Sequence, residues 1–174
     1  MSVLKKILLL IVLCVLCLCS CSVIEESMMS EDEYAEYIID EIILSVNEQS
    51  PERLKALFSK TATESMDDFQ KNFDELIEFV ASEVTSYEYD GCVASSMSIE
   101  YGEKTNMFRF SFEITTADNN KYNFFIICYN IDTMNEDNVG VYMLEVANSD
   151  YDEYVSWQER MTPGIVILES SKDE

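Results

Sequence analysis

The stretch MFRFSFEITTADNNKYNFFIICYNI, residues 107–131, decides the fold of this 174-residue chain. Its first part alternates apolar and polar residues, which is typical of a strand with one buried face. The apolar positions are Phe108, Phe110, Phe112 and Ile114. A turn signal follows at Asp118-Asn119-Asn120, and the next segment, 121–131, is apolar on both faces. These features predict a hairpin whose second strand lies in the centre of a sheet.

Further strands are predicted on both sides of this hairpin. Residues 93–101 alternate in the same way, and their predicted buried face comprises Val93, Met97, Ile99 and Tyr101. Turn signals at Asp90-Gly91, Gly102 and 135–138 bound these segments. VGVYMLEV (139–146) completes an antiparallel meander, and PGIVIL (163–168) predicts an edge strand or an extended segment. Because long antiparallel strands twist strongly, the meander should curve.

The first half of the chain has helical spacing instead. Residues 31–48 place Tyr34, Ile38, Ile42 and Val46 on one stripe. Ser50-Pro51 predicts the start of a second helix, and 65–68 approximates a capping box before a third. The third helix has Phe69, Phe73, Leu76, Ile77 and Val80 on its apolar side. The sequence therefore predicts one α+β domain over 31–174, with N-terminal helices packed on a curved antiparallel meander.

The N-terminus has the layout of a secretory leader. Lys5 and Lys6 precede an uncharged apolar run, 7–18, that is too short to span a membrane. Leu18-Cys19-Ser20-Cys21 resembles the bacterial lipobox. That resemblance implies a signal peptide over 1–20, a Cys21 carrying a diacylglycerol and further acyl chains such as palmitate, and a tether over 21–30. The protein is then expected on the outer, extracytoplasmic face of the cell membrane, held by lipid. An ordinary cleaved signal peptide with unmodified Cys21 is the alternative.

Two cysteines remain after Cys21, and outside the membrane Cys92 and Cys128 can form a disulfide. The earlier cysteines, Cys14, Cys17 and Cys19, lie in or beside the apolar leader and are expected to leave with it. The chain has no histidine to complete a zinc site. We therefore predict no metal site in the cysteine cluster.

The charge of the chain is strongly acidic. Removing the leader and its two lysines leaves nine basic against 34 acidic residues, a formal charge of −25. Such a surface repels nucleic acid and anionic lipid headgroups, so we predict no nucleic-acid binding. It suits a basic protein partner or a cationic ligand. The sequence does not determine an oligomeric state.

Candidate chemistry is sparse. Without histidine, Ser-His-Asp and Cys-His catalysis are excluded, and no glycine-rich phosphate loop is present. The candidates are inward-facing acids or tyrosines on predicted strands, such as Glu145 and Tyr122. Residues 132–137 fail the calcium-loop pattern at Met134 and lack its glycine. We therefore predict a protein that is not an enzyme and that has no metal or cofactor.

Two further residues receive structural predictions. Arg109 lies on the polar face of its strand beside Ser111 and Glu113, so a cross-strand ion pair is expected. Trp157 is expected to pack against the sheet.

The order of these segments resembles the cone-shaped, NTF2-like α+β superfamily. It also resembles an uncharacterised family of Gram-positive lipoproteins with a domain of unknown function. The similar stretches are LKALFS (54–59), YDGCVASSMSIEYGEK (89–104), EITTADNNKYNFFIICYNID (113–132) and VGVYMLEV (139–146). The resemblance implies a fold and a location, and it implies no reaction.

Three functions follow from these observations. The first is a membrane-anchored domain that binds a partner or small ligand on the concave face of its sheet. The second is an acidic protein–protein module that captures a basic partner. The third is a small NTF2-like hydrolase or isomerase with a buried carboxylate in a pocket.

Overall fold

A computed structural model describes residues 29–151 and 161–168 of the chain. The predicted signal peptide (1–20), the predicted lipidation site Cys21 and Trp157 lie outside the described residues. Internal contacts divide the chain into two units, with the boundary between Tyr34 and Ala35. Within the first unit the structure describes residues 29–34.

Helix α1 (Glu31–Asn47) starts within the first unit, and its first turn has a capping box. The Ser30 N–H donates to the Glu33 carboxylate over 2.8 Å, and the Glu33 N–H donates to the Ser30 hydroxyl over 3.3 Å. The hydrogen bonds from Ser30 lower the pKa of the Glu33 carboxyl group. The predicted start of this helix is confirmed.

Three shorter helices follow in the second unit, here called the main unit: α2 (Pro51–Leu57), α3 (Lys60–Ser65) and α4 (Phe69–Val80). Pro51 starts α2 as predicted, but the Ser50 side chain makes no capping hydrogen bond. The predicted capping box at 65–68 is wrong, because Ser65 ends α3, a helix that the spacing did not predict. Helix α4 is capped instead by Asp68, whose carboxylate accepts from the Lys71 N–H over 3.3 Å.

The second half forms a sheet of five described strands in sequential order. They are β1 (Val84–Glu100), β2 (Glu103–Thr116), β3 (Lys121–Asp132), β4 (Gly140–Asn148) and β5 (Gly164–Leu168). The predicted central position of β3 is confirmed. Strands β1 to β4 are antiparallel, whereas β5 runs parallel to β4, so the meander ends at β4 and the sheet is mixed. The sheet is curved and unclosed, which confirms the α+β prediction.

One of two glycine turn signals has the predicted role. Tyr101 and Gly102 both have positive φ, 54° and 93°, and form the tight turn between β1 and β2. Asp90-Gly91 is not a turn, because it lies within β1. There the register against β2 shifts between Tyr89 and Cys92, and Gly91 has a φ of 98°. The glycine therefore permits a β-bulge rather than a chain reversal.

The helices cover one face of the sheet, which we call the helix-facing face. At one end of it the Tyr122 hydroxyl donates to the Val80 carbonyl over 3.2 Å. At another point the Asn47 side-chain amide bonds both the N–H and the C=O of Val84, each over 2.9 Å. Fully buried side chains fill this face: Phe110, Phe112, Ile114, Phe124 and Ile126. The predicted buried face of β2 is confirmed.

The predicted buried face of 93–101 is wrong. Met97 is 68% exposed, Ile99 is 59% exposed and Tyr101 is completely exposed. Met97 and Ile99 do lie on the helix-facing face, since they pair with Asn106 and Lys104, which alternate with Phe108. The alternation therefore gave the right face, but this end of β1 has no cover.

Candidate functional site

The face opposite the helices, here called the outer face, has an apolar cluster of its own. Met107, Phe125, Ile127 and Met143 are buried there, and four more side chains pack against them: Tyr129, Tyr142, Met161 and Val166. This second cluster exists because β3 is apolar on both faces. We call the eight residues the outer cluster.

Arg109 lies at the border of the outer cluster. The strand register places it between Ala94 of β1 and Ile127 of β3, and diagonally from Tyr129. It is half-buried, and its Nε is buried without a hydrogen-bond partner. An unpaired buried donor is rare in proteins and requires an explanation.

The ion pair predicted for Arg109 is wrong within the described residues. A cross-strand pair does form on this face, but it joins Lys121 to Glu113. Lys121 lies diagonally from Glu113 across β2 and β3, whereas the direct cross-strand neighbours of Arg109 are the uncharged Ala94 and Ile127. Among the described ion pairs, none includes Arg109.

Tyr129 lies diagonally from this arginine, and Tyr142 lies beyond Tyr129 on β4. The rings of Tyr129 and Tyr142 meet edge to face, with centroids 5.4 Å apart. Burial is the main cause that raises the pKa of the Tyr129 hydroxyl; Tyr142 and Asp132 raise it further, and Arg109 acts in the opposite direction. At neutral pH Tyr129 is therefore a neutral hydrogen-bond donor. We call Arg109, Tyr129 and Tyr142 the arginine–tyrosine group.

A second candidate surface is the end of β1 near its hairpin turn. Strand β1 is the first in the sheet order, so its far edge pairs with no strand among the described residues. The register against β2 shifts three times between Val84 and Ala94, and it is regular from Ala94 to Glu100. We call Ala94–Glu100 the open edge. It contains neither lysine nor proline, the residues that commonly block edge pairing.

The two residues considered for catalysis are not neighbours. Tyr122 lies on the helix-facing face, where its buried hydroxyl donates to a backbone carbonyl. Glu145 pairs with Phe125 and so belongs to the outer face. The sheet separates the two side chains, so they do not form an acid–base pair.

The loop considered for calcium is held by its own hydrogen bonds. The Asp132 carboxylate is buried and accepts from the N–H groups of Met134 and Asn135 and from the Asn138 amide, over 2.9–3.1 Å. These bonds form a turn that presents no cluster of ligands. In residues 29–151 and 161–168, no three His, Cys, Asp or Glu side chains are grouped to hold a metal ion.

The backbone positions of the two remaining cysteines are separated by β2. Cys92 pairs with Phe110, whereas Cys128 of β3 pairs with Phe108. Two strand spacings correspond to about 10 Å, while a disulfide joins Cα atoms about 4.4–6.8 Å apart. A bridge within this sheet would require β1 to move, and the disulfide stays a prediction.

Comparison with protein families identifies the main unit. A family model described as Domain of unknown function (DUF5104) matches residues 41–153. The chain belongs to this DUF5104 family. The DUF5104 match contains both the arginine–tyrosine group and the open edge. No curated protein matches the chain.

In the described part of this DUF5104 protein, no helix is both long enough and apolar enough to cross a membrane.

Proposed function

We propose that this protein is a lipid-anchored lipoprotein on the outer face of the cell membrane, and that its domain binds a protein partner along the open edge. The anchor is supported by the basic residues, apolar run and lipobox-like 18–21 of the leader. An NTF2-like fold is supported by the order of helices before a curved sheet.

The observation that carries this proposal is the exposure of Met97 and Ile99 on a regular edge strand. Soluble proteins usually block such edges with bulges, lysine or proline, because open backbone groups recruit other strands. The first half of β1 has the bulges and the open edge has none. A partner segment can therefore add as a further strand, with its side chains against Met97 and Ile99.

The negative charge of the domain favours a basic partner. Residues 92–99 carry no charge, and the flanking charged side chains include Glu88, Glu100 and Glu103, all exposed. The chain as a whole has a net charge of −23. A basic, extended segment is attracted by this field, whereas an acidic one is repelled.

The open edge also bears on the hypothesis that the concave face of the sheet binds a partner or small ligand. Beneath the helices, side chains such as Phe110 and Phe124 are fully buried on the helix-facing face. Met97 and Ile99 belong to the same face, at the end that the helices leave uncovered. A partner on the open edge therefore fits the geometry better than a small ligand inside the domain.

The anchor is tested with Cys21→Ser. Cells fed an alkyne-labelled fatty acid should label the wild-type protein and not the variant, and the variant should leave the membrane fraction. Equal labelling of both proteins would contradict lipidation at Cys21.

Edge binding is tested on the full chain carrying Cys21→Ser, which removes the lipidation site. The probe is a short peptide of alternating valine and lysine, and the control peptide alternates valine and glutamate. We expect only the basic peptide to slow amide hydrogen exchange in Ala94–Glu100. Its binding should weaken as ionic strength rises to about 1 M, where the Debye length is ~3 Å.

A substitution that adds a charge to the open edge distinguishes binding at this site from non-specific attraction to an acidic protein. Met97→Lys should abolish the protection of Ala94–Glu100. Met134→Lys makes the same change at a methionine that is 76% exposed in the β3–β4 loop, and it should leave binding nearly intact. Equal loss in both variants, or binding that salt does not weaken, would reject the proposed function.

A further inference from the structure

Met97 differs in exposure from the buried methionines of the sheet. Its side chain is 68% exposed, whereas Met107 is 9% exposed and Met143 is 1% exposed. Oxidation of a sulfur-containing side chain by peroxide requires that the oxidant reach the sulfur atom. Met97 should therefore react long before the two methionines that are buried in the outer cluster.

The position of Met97 gives this exposure a consequence for binding. It is the middle residue of the open edge, Ala94–Glu100, and it shares the helix-facing face with Ile99. These two side chains supply the apolar contacts for the proposed partner strand. Met134 is exposed to a similar degree, but it lies in the loop between β3 and β4. Oxidation of Met97 therefore alters the binding surface, and oxidation of Met134 does not.

The neighbours of Met97 on β2 carry hydrogen-bond donors. The strand register pairs Met97 with Asn106 and Ile99 with Lys104, so Lys104 is a diagonal neighbour of Met97 on the same face. Lys104 is exposed and belongs to none of the described ion pairs. A thioether is a weak acceptor, whereas the oxygen of a sulfoxide is a polar acceptor that suits these donors. The open edge can therefore accommodate the oxidised side chain.

We propose that hydrogen peroxide prevents partner binding by oxidising Met97 to methionine sulfoxide, an inference that rests on the function proposed above. The O–O bond of the peroxide breaks and an S–O bond forms. One oxygen atom is transferred to the sulfur, and the other leaves as water with both protons of the peroxide. The sulfur is oxidised by two electrons, which reduce the peroxide, so the reaction requires no cofactor.

The sulfoxide opposes binding because it replaces an apolar contact with a polar group. A partner strand against Met97 and Ile99 removes apolar surface from water, and this contribution is lost when the thioether becomes polar. The same partner would also have to remove water from the sulfoxide and from Lys104. We expect the affinity for the partner to fall at least about tenfold.

The test uses the full chain carrying Cys21→Ser and the peptide of alternating valine and lysine, labelled with a dye. Fluorescence anisotropy gives its affinity before and after treatment with hydrogen peroxide, and mass spectrometry locates each sulfoxide. We expect Met97 to be oxidised before Met107 and Met143, with a loss of affinity that follows the Met97 sulfoxide. The two methionine sulfoxide reductases, one for each sulfoxide epimer, should restore the affinity. A loss that these enzymes do not reverse would overturn the proposal.

Two matched variants show whether Met97 is responsible. Met97→Leu keeps an apolar side chain on the open edge, so it should bind the peptide and keep its affinity after peroxide treatment. Met134→Leu removes the exposed methionine of the loop and should lose affinity as the unsubstituted protein does. Both variants retain the same cysteines, so thiol oxidation affects them equally. Equal losses in the two variants would overturn the proposal.

The failure of this inference is distinguishable from the failure of the proposed function. A peptide that does not bind the untreated protein rejects the open edge as a binding site, and with it the effect of oxidation. A peptide that binds the untreated protein, and binds equally well once Met97 is completely oxidised, rejects only the effect of oxidation.

Discussion

The helix-facing positions of β2 and those of the open edge have the same alternating pattern and opposite environments. On β2, Phe110 and Phe112 are fully buried beneath the helices. On β1, Met97 and Ile99 occupy the same face of the adjacent strand and are exposed. A period of two thus identifies which residues share a face, and it does not reveal whether anything covers that face.

The β2 residues that pair with β1 indicate where the helices stop covering the sheet. Phe108 is the last buried aromatic residue of β2 toward the turn, and the next positions on its face are Asn106 and Lys104. These polar residues pair with Met97 and Ile99. The alternation of β1 alone suggested burial, whereas the polarity of its partner strand indicated exposure. Cross-strand pairs are therefore a better guide to cover than a single strand.

The sharpest test of this contrast removes one side chain from each region. Phe110→Ala deletes a fully buried ring and should lower the free energy of unfolding by about 3–5 kcal/mol. Met97→Ala deletes an exposed side chain on the same face and should change it by less than about 0.5 kcal/mol. Urea unfolding of both variants measures the difference. Comparable losses would mean that the open edge is covered in solution.

Several features of the fold could be predicted because the signal lies within the segment itself. Strand β3 is apolar on both faces, so its central position follows from its own residues. The parallel direction of β5 could not be predicted, because the apolar pattern of its five residues does not distinguish parallel from antiparallel pairing with β4. Helix α3 is short, and its start depends on a Ser59 hydroxyl that accepts from the Ala62 N–H over 3.1 Å.

The candidate sites were less predictable for the same reason. Arg109 lies on the polar face of β2, and the sequence favoured a cross-strand ion pair for it. The strand register places the uncharged Ala94 and Ile127 across from Arg109, whereas it brings Lys121 close to Glu113. The strand register and the extent to which the helices cover the sheet both depend on tertiary structure. Both candidate surfaces result from these two features.

A second test compares glycines in the covered and uncovered regions. Gly140 has a φ of 115°, and a Cβ there would lie 2.9 Å from the Leu57 carbonyl oxygen at the end of α2. Gly102, in the exposed turn, has a φ of 93° and nothing within 4 Å of a Cβ. Gly140→Ala should therefore cost about 2 kcal/mol or more, and Gly102→Ala about 1 kcal/mol, since only the first adds a clash to the backbone strain.

Thermal unfolding of the two glycine variants gives this comparison directly. A larger loss for Gly102→Ala would show that the turn, and not the contact between β4 and the helices, limits stability. It would also remove the distinction between a covered and an uncovered end of the sheet.

The smallest expected effect is that of Tyr122→Phe at the helix-facing end of β3. The variant removes one buried hydroxyl that donates to the Val80 carbonyl, so the loss at pH 7 should be about 1 kcal/mol. Tyr101→Phe deletes the same atom from a completely exposed ring and should leave stability at neutral pH unchanged.

The pH dependence identifies the cause of that loss. Burial raises the pKa of Tyr122 in the folded state above its unfolded value of about 10. The stabilising contribution is therefore complete below pH ~10 and decreases as pH rises above it, because the unfolded chain releases the proton first. The free energy of unfolding of the wild type should fall in this range, and its difference from that of Tyr122→Phe should shrink.

Other tyrosines with raised pKa values, such as Tyr87 and Tyr129, are present in both proteins, so their contributions cancel in this difference. A difference that stays constant up to pH ~11 would mean that the Tyr122 hydroxyl is solvated, and that the helices cover this end of β3 less than its packing indicates.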